Sequence, residues 1–198
     1  MRAFARLAAV AAAVSLATPA SAQLGRTLEE VRGEDFWTYF QLQPTGPAKW
    51  EGGRAVTEFR TSAPRFRPLV RVTAEVDSAG VITAMGIELA RSFVDAPREG
   101  VFARDIAKSF LRAALPADDL PDLRMLVDEI EFPRENPPGV TTVRARPAPD
   151  LPREPTPPYA VFLGREPSFS RTLEACTVAL RNTGDGADAV LSITVAAR

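Results

Sequence analysis

The sequence predicts an α+β protein: an antiparallel β-sheet covered on one face by two consecutive helices, with a proline-rich strap. Three observations carry that prediction. Val70, Val72, Ala74 and Val76 alternate with Arg71, Thr73 and Glu75, and after Asp77-Ser78-Ala79-Gly80 the apolar alternation resumes with Val81, Met85, Ile87 and Leu89. Alternation on both sides of a turn signal is the pattern of a hairpin with one wet and one dry face. Past Asp95-Ala96-Pro97 the period lengthens: Phe102, Ile106 and Phe110 recur four apart, as they do along one face of a helix able to cover that hairpin. Finally, nine of the 18 prolines fall between Pro133 and Pro158, a composition that suits neither helix nor central strand.

The first 22 residues read as a secretory signal peptide. Arg2 and Arg6 supply a basic start, Leu7 to Ala17 is an apolar run broken only by Ser15, and Ala20-Ser21-Ala22 has the small-x-small form of a cleavage site. The run is far shorter than the ~20 residues a membrane-crossing helix needs. The expectation is an exported chain, periplasmic or extracellular, beginning at Gln23 and folding over residues 23–198 as one domain, with 133–158 as a proline-rich connection inside it. No membrane span is expected after signal cleavage.

Thr27-Leu28-Glu29-Glu30 has capping-box spacing, and Gly33 is placed to end the helix it starts after about two turns. Phe36, Trp37, Tyr39 and Phe40 fit either a helix, with the rings on one broad face, or a strand that splits them between two faces. They read as a rim of the core or as a stacking platform for a flat ligand. Arg54 to Thr61 is a strand with Ala55, Thr57 and Phe59 on one side. The prolines of Ala63-Pro64-Arg65-Phe66-Arg67-Pro68 predict an extended connection with Arg65 and Arg67 pointing together and Phe66 opposite.

With Arg60 and Arg71 on the flanking strands, Arg65 and Arg67 form the candidate ligand-binding surface. Four guanidiniums at one sheet end suit bidentate capture of a carboxylate, a phosphate or an acidic glycan; a solvated edge that discourages sheet-to-sheet pairing needs the same residues.

Asp95 reads as the N-cap of the covering helix, with Pro97 in its first turn, and Leu115-Pro116 as its end. A second helix is predicted from Asp119 with Leu123, Leu126, Val127 and Ile130 as its stripe. Its flanking carboxylates lack the alternating loop of a calcium site. Pro149, Pro152, Pro155 and Pro158 have the three-residue period of polyproline II, a strap across the body or a ligand for a partner's aromatic groove. Tyr159 to Leu163 then reads as a short strand, and Leu173 to Arg181 and Ala189 to Ala196 as a hairpin around Asn182-Thr183-Gly184-Asp185-Gly186. Cys176, the single cysteine, shares the dry face with Val178 and Leu180 and has no partner for an intramolecular disulfide.

The chain contains no histidine, which removes Ser-His-Asp and Cys-His centres, histidine-ligated metals and the commonest general base. Phosphate-loop, dinucleotide and nucleophile-elbow motifs are missing too. Without Arg2 and Arg6, 22 basic residues face 25 acidic ones, so nucleic acid is not an expected partner. The expectation is a non-catalytic envelope or periplasmic protein, without cofactor or metal, that binds an envelope protein or an anionic ligand such as an anionic glycan. The alternative is a hydrolase of envelope or secreted polysaccharide working through a carboxylate pair.

Overall fold

The computed structural model describes residues 23–115 and 156–198. The predicted signal peptide, the second predicted helix and the predicted strap, apart from its last three residues at 156–158, lie outside them. Among the described residues eight antiparallel strands form one sheet: β1 (Leu42–Pro44), β2 (Lys49–Glu51), β3 (Arg54–Thr61), β4 (Val70–Val76), β5 (Ile82–Ala90), β6 (Ser168–Thr172), β7 (Cys176–Thr183) and β8 (Val190–Ala197). They are ordered β1-β3-β4-β5-β8-β7-β6, and β2 also pairs with β3. Leu42 to Pro44 pair with the end of β3 and Lys49 to Glu51 with its beginning, so β1 and β2 are two pieces of one edge.

Alternation decides which face is covered. Ala55, Thr57 and Phe59 of β3, Val70, Val72 and Ala74 of β4, Met85, Ile87 and Leu89 of β5, Leu191, Ile193 and Val195 of β8, and Cys176, Val178 and Leu180 of β7 are all buried. The hairpin differs from its predicted register at one point. Ile82, not Val81, is buried, because the β4–β5 register shifts between Glu75 and Val76, leaving Val76 opposite Ile82 and Glu75 opposite Ala84. The unpaired Thr83 makes a bulge, and a bulge changes strand parity, so Ile82 and Met85 both point inward although three positions apart. In the turn, the Asp77 carboxylate accepts from the amides of Ala79 and Val81, and Gly80 takes φ +79°.

Helices α3 (Arg91–Val94) and α4 (Gly100–Ala114) pack on β5 and β8. Ile106 and Phe110 are buried as expected, along with Ala103, Ala107, Leu111 and Ala114; Phe102 is 56% exposed. Asp95 does not start α4: it is the C-cap of α3, and the chain turns through Pro97 to Glu99 before Gly100 opens α4. Gly100 fits that corner because a Cβ there would lie 2.6 Å from the Val94 carbonyl oxygen. Leu115, extended at ψ 137°, ends α4 before Pro116, as a residue ahead of proline should.

The N-terminal capping box is present, with the Thr27 hydroxyl accepting from the Glu30 amide and the Glu30 carboxylate from the Thr27 amide. Its helix, α1 (Leu28–Val31), is one turn rather than two. The aromatic segment resolves as helix α2 (Asp35–Tyr39), which buries Phe36 and Trp37 and leaves Tyr39 exposed. Gln23 plugs this corner. Its side-chain oxygen accepts from the Trp37 indole N–H at 2.9 Å, its side-chain nitrogen donates to Glu34 at 3.1 Å, and its amide donates to the Ala113 carbonyl.

Two local expectations are corrected. Residues 63–68 are not extended: the amides of Phe66 and Arg67 donate to the Ala63 carbonyl and those of Leu69 and Val70 to Phe66, two consecutive tight turns for which proline's fixed φ is equally suited. Tyr159 to Leu163 is not a strand but most of helix α5 (Pro157–Phe162), with prolines in its first turn where their missing N–H groups cost nothing. Asn182, in the predicted turn, ties α5 down: its amide donates to the carbonyls of Val161 and Glu166, and Arg91 donates to Phe162 at 2.7 Å beside it.

Candidate functional site

The four arginines lie on β3, on β4 and in the turns between them. Arg60 and Arg71 stand on the sheet face opposite the helices. Arg71 donates to Glu88, directly across on β5, and lies 3.6 Å from Glu58; Arg60 donates to Glu58 at 3.0 Å and to the Arg67 carbonyl. The Glu88 hydrogen bond, followed by the Glu88 and Glu58 charges, raises the Arg71 pKa above the usual guanidinium value against the opposing effect of burial. Arg65 pairs with Glu99 and rests 5.7 Å from the centroid of Phe66. Arg67 is exposed, and among the described residues it meets no carboxylate. Three of the four positive charges are therefore already countered, and Arg67 meets Arg60 through its backbone carbonyl, 3.1 Å away.

A cavity of about 310 Å³ is lined by α2 and the residues that follow it, by β1, β4 and the connection from the end of β3, and by α4. Leu42, Val70, Val72 and Ile106 form its floor. One wall carries Phe36, Tyr39 and Phe40, in which Phe40 meets Phe36 edge-on at 5.6 Å and Tyr39 at 5.0 Å. The facing wall carries Phe66 and Phe102, whose ring centroids are 6.2 Å apart. Polar groups are few: the Tyr39 hydroxyl, Gln41, Thr61 and the exposed Asp105.

Local sequence explains each part. On α4, Phe102, Asp105 and Ile106 are three and four residues apart, so they share one edge of the helix. Phe110, one turn past Ile106, continues into the core and packs edge-on against Phe36 at 5.9 Å, fixing α2 to α4. Gln41 ends α2 at φ +50°, a left-handed conformation that costs a side-chain-bearing residue about 1 kcal/mol. Its side chain accepts from the Ser62 hydroxyl at 2.6 Å, which helps hold that conformation and bends the chain from α2 into β1. The tight turns at 63–68 bring Phe66 over the same opening.

The size falls at the small end of the about 300–1,000 Å³ usual for ligand pockets, and a mostly apolar lining with a few polar groups is their usual composition. In the aromatic segment Phe36 and Trp37 are core while Tyr39, 79% exposed, is rim. Phe66, Phe102 and Asp105 were not identified from sequence as site residues. The only signal was that a four-residue period carried a phenylalanine at the outer end of α4, with an acid three residues on.

Asp105 is the one carboxylate among the cavity's described lining residues, whereas glycoside hydrolysis by paired acids needs two flanking the scissile bond. Among the described residues no cluster of His, Cys, Asp or Glu is arranged to hold a metal ion, and no helix is long and apolar enough to cross a membrane. No protein-family model, curated protein or solved structure matches the chain.

Proposed function

We propose that the protein is an exported, non-catalytic binding protein of the bacterial envelope or periplasm whose binding site is the cavity between α2 and α4. The observation that carries this reading is the pairing of an open, aromatic-walled cavity with two rings left in solvent at its mouth, Tyr39 and Phe102, 79% and 56% exposed. Large apolar residues placed together at the surface beside a preformed hollow mark interaction sites. The leader-like segment at residues 1–22 and the lack of histidine support export and the absence of catalysis. An anionic partner held by Arg60, Arg65, Arg67 and Arg71 is supported less well, because Glu58, Glu88 and Glu99 already engage three of those guanidiniums.

The test is a screen of small apolar, aromatic and anionic probes by ligand-observed NMR against the mature chain, the cavity-filling variant Ile106→Trp and the double variant Arg65→Ala/Arg67→Ala. Apolar or aromatic probes should bind the unmodified chain, lose binding in Ile106→Trp and keep it in the arginine variant. Binding only of anionic probes, lost with the arginines, would move the site to the 63–68 turns; binding that survives Ile106→Trp would remove it from the cavity.

A further inference from the structure

Resting on the reading of the cavity as a binding site, we infer that its ligand is a small, freely soluble organic cation, an ammonium group carrying methyl or other compact apolar substituents. Five aromatic rings from three separate segments converge on one hollow: Phe36, Tyr39 and Phe40 from α2 and its end, Phe66 from the 63–68 turns, Phe102 from α4. Aromatic faces are electronegative, and several of them around one small volume attract a cation that has little hydration to lose. A quaternary or tertiary ammonium, apolar outside and charged inside, suits such a lining better than either a bare hydrocarbon or a strongly hydrated primary amine.

The charges agree. The only charged side chain among the described lining residues is Asp105, on the same edge of α4 as Phe102 and Ile106. It is exposed and has no ion-pair partner among the described residues, so its charge is available to a ligand at the mouth. Among the described residues, the cation that lies against a lining ring, Arg65 over Phe66, is countered by Glu99 and does not oppose a positive ligand as a lone guanidinium would. That contact also shows Phe66 accepting a cation on one of its faces.

Choline and its uncharged carbon isostere, in which a carbon replaces the ammonium nitrogen, separate charge from shape. Both are titrated by ligand-observed NMR into the mature chain and into Asp105→Asn, Phe102→Leu and Ile106→Trp, with urea midpoints confirming that each variant is folded. Choline should bind roughly tenfold more tightly than the isostere, the scale set by desolvated cation–π contact. Asp105→Asn should weaken choline several-fold and leave the isostere unchanged, and Phe102→Leu should weaken choline more than the isostere. Equal or tighter binding of the isostere, lost in Ile106→Trp, would overturn the ammonium inference while leaving the cavity as the binding site. Binding of neither compound, with no other apolar probe bound, would overturn both. Association with phosphatidylcholine vesicles without binding of free choline would also overturn the inference, because it would place the ammonium on a lipid.

Discussion

Phe102 and Phe110 are the same residue type on the same helix, two repeats apart in one four-residue pattern, and the structure assigns them opposite roles. Phe110 is fully buried and meets Phe36 edge-on; Phe102 is 56% exposed and forms a wall of the cavity. Replacing Phe110 with Ala removes a core ring and leaves a void between α2 and α4, a change that costs about 3–5 kcal/mol. Replacing Phe102 with Ala forfeits less than half of the ~1.5–3 kcal/mol that full burial of such a side chain contributes, so about 1 kcal/mol. Urea unfolding followed by fluorescence of the buried Trp37 reads the difference directly. At a slope of about 2 kcal/mol/M for a small protein, the midpoint falls by roughly 1.5–2.5 M for Phe110→Ala and by about 0.5 M for Phe102→Ala. Probe binding should be lost in Phe102→Ala while its fold persists. Equal losses of stability, or a larger one for Phe102→Ala, would mean that α4 is rotated from the orientation described and that the cavity is not where it has been placed.

Three other outcomes follow from the same packing. Gln23→Ala leaves the buried indole N–H of Trp37 without its acceptor, and should cost about 1–3 kcal/mol in the same unfolding assay. Gly100→Ala pushes a methyl against the Val94 carbonyl oxygen, 2.6 Å from an ideal Cβ, and should lower stability by about 1–3 kcal/mol, with circular dichroism reporting any shortening of α4. The hydrogen bond from the Thr27 amide, then that involving its side chain, holds the Glu30 carboxyl below the usual glutamate pKa. With the folded-state value the lower one, the cap stabilises the fold above the ordinary glutamate range and loses that contribution as pH falls through the depressed value. An NMR titration should place the Glu30 midpoint below that of a free glutamate, and Thr27→Ala should return it towards the ordinary value.

Elements governed by local rules were legible in the sequence. The alternations of β3, β4, β7 and β8, the Thr27–Glu30 box, the turn at Gly80 and the body of α4 each follow from a period or a cap within about ten residues. Cys176 fell on the buried face because its strand alternates without a break. Elements set by distant contacts were not legible. Ser168–Thr172 carries one large apolar residue, Phe169, and becomes edge strand β6 through pairing with β7. Tyr159 to Leu163 is too short for its period to distinguish helix from strand, and its prolines and the Asn182 clamp decide the matter. Prolines at 64 and 68 were compatible with extended chain or with turns, and hydrogen bonds to Ala63 and Phe66 select turns.

The site was legible only in fragments. The aromatic run at 36–40 stood out as a possible platform, and Phe66 was seen only as the residue opposite two arginines. Phe102 looked like core because the four-residue period cannot say how far along a helix the sheet beneath it extends. Of the carboxylates that meet the arginines, Glu88 is brought to Arg71 by strand pairing and Glu99 to Arg65 by the α3–α4 corner, and both are far from their partners in the chain, whereas Glu58 stands two residues from Arg60.

The most direct test of the cavity as binding site is a map of NMR shifts in methyl-labelled protein during titration with choline. The methyls of Val70, Val72, Leu42 and Ile106 should move together and saturate with one affinity, while those of Thr73 and Thr194 on the opposite sheet face stay still. Saturable shifts confined to that opposite face, or no saturable shift at the cavity floor with any probe, would contradict it.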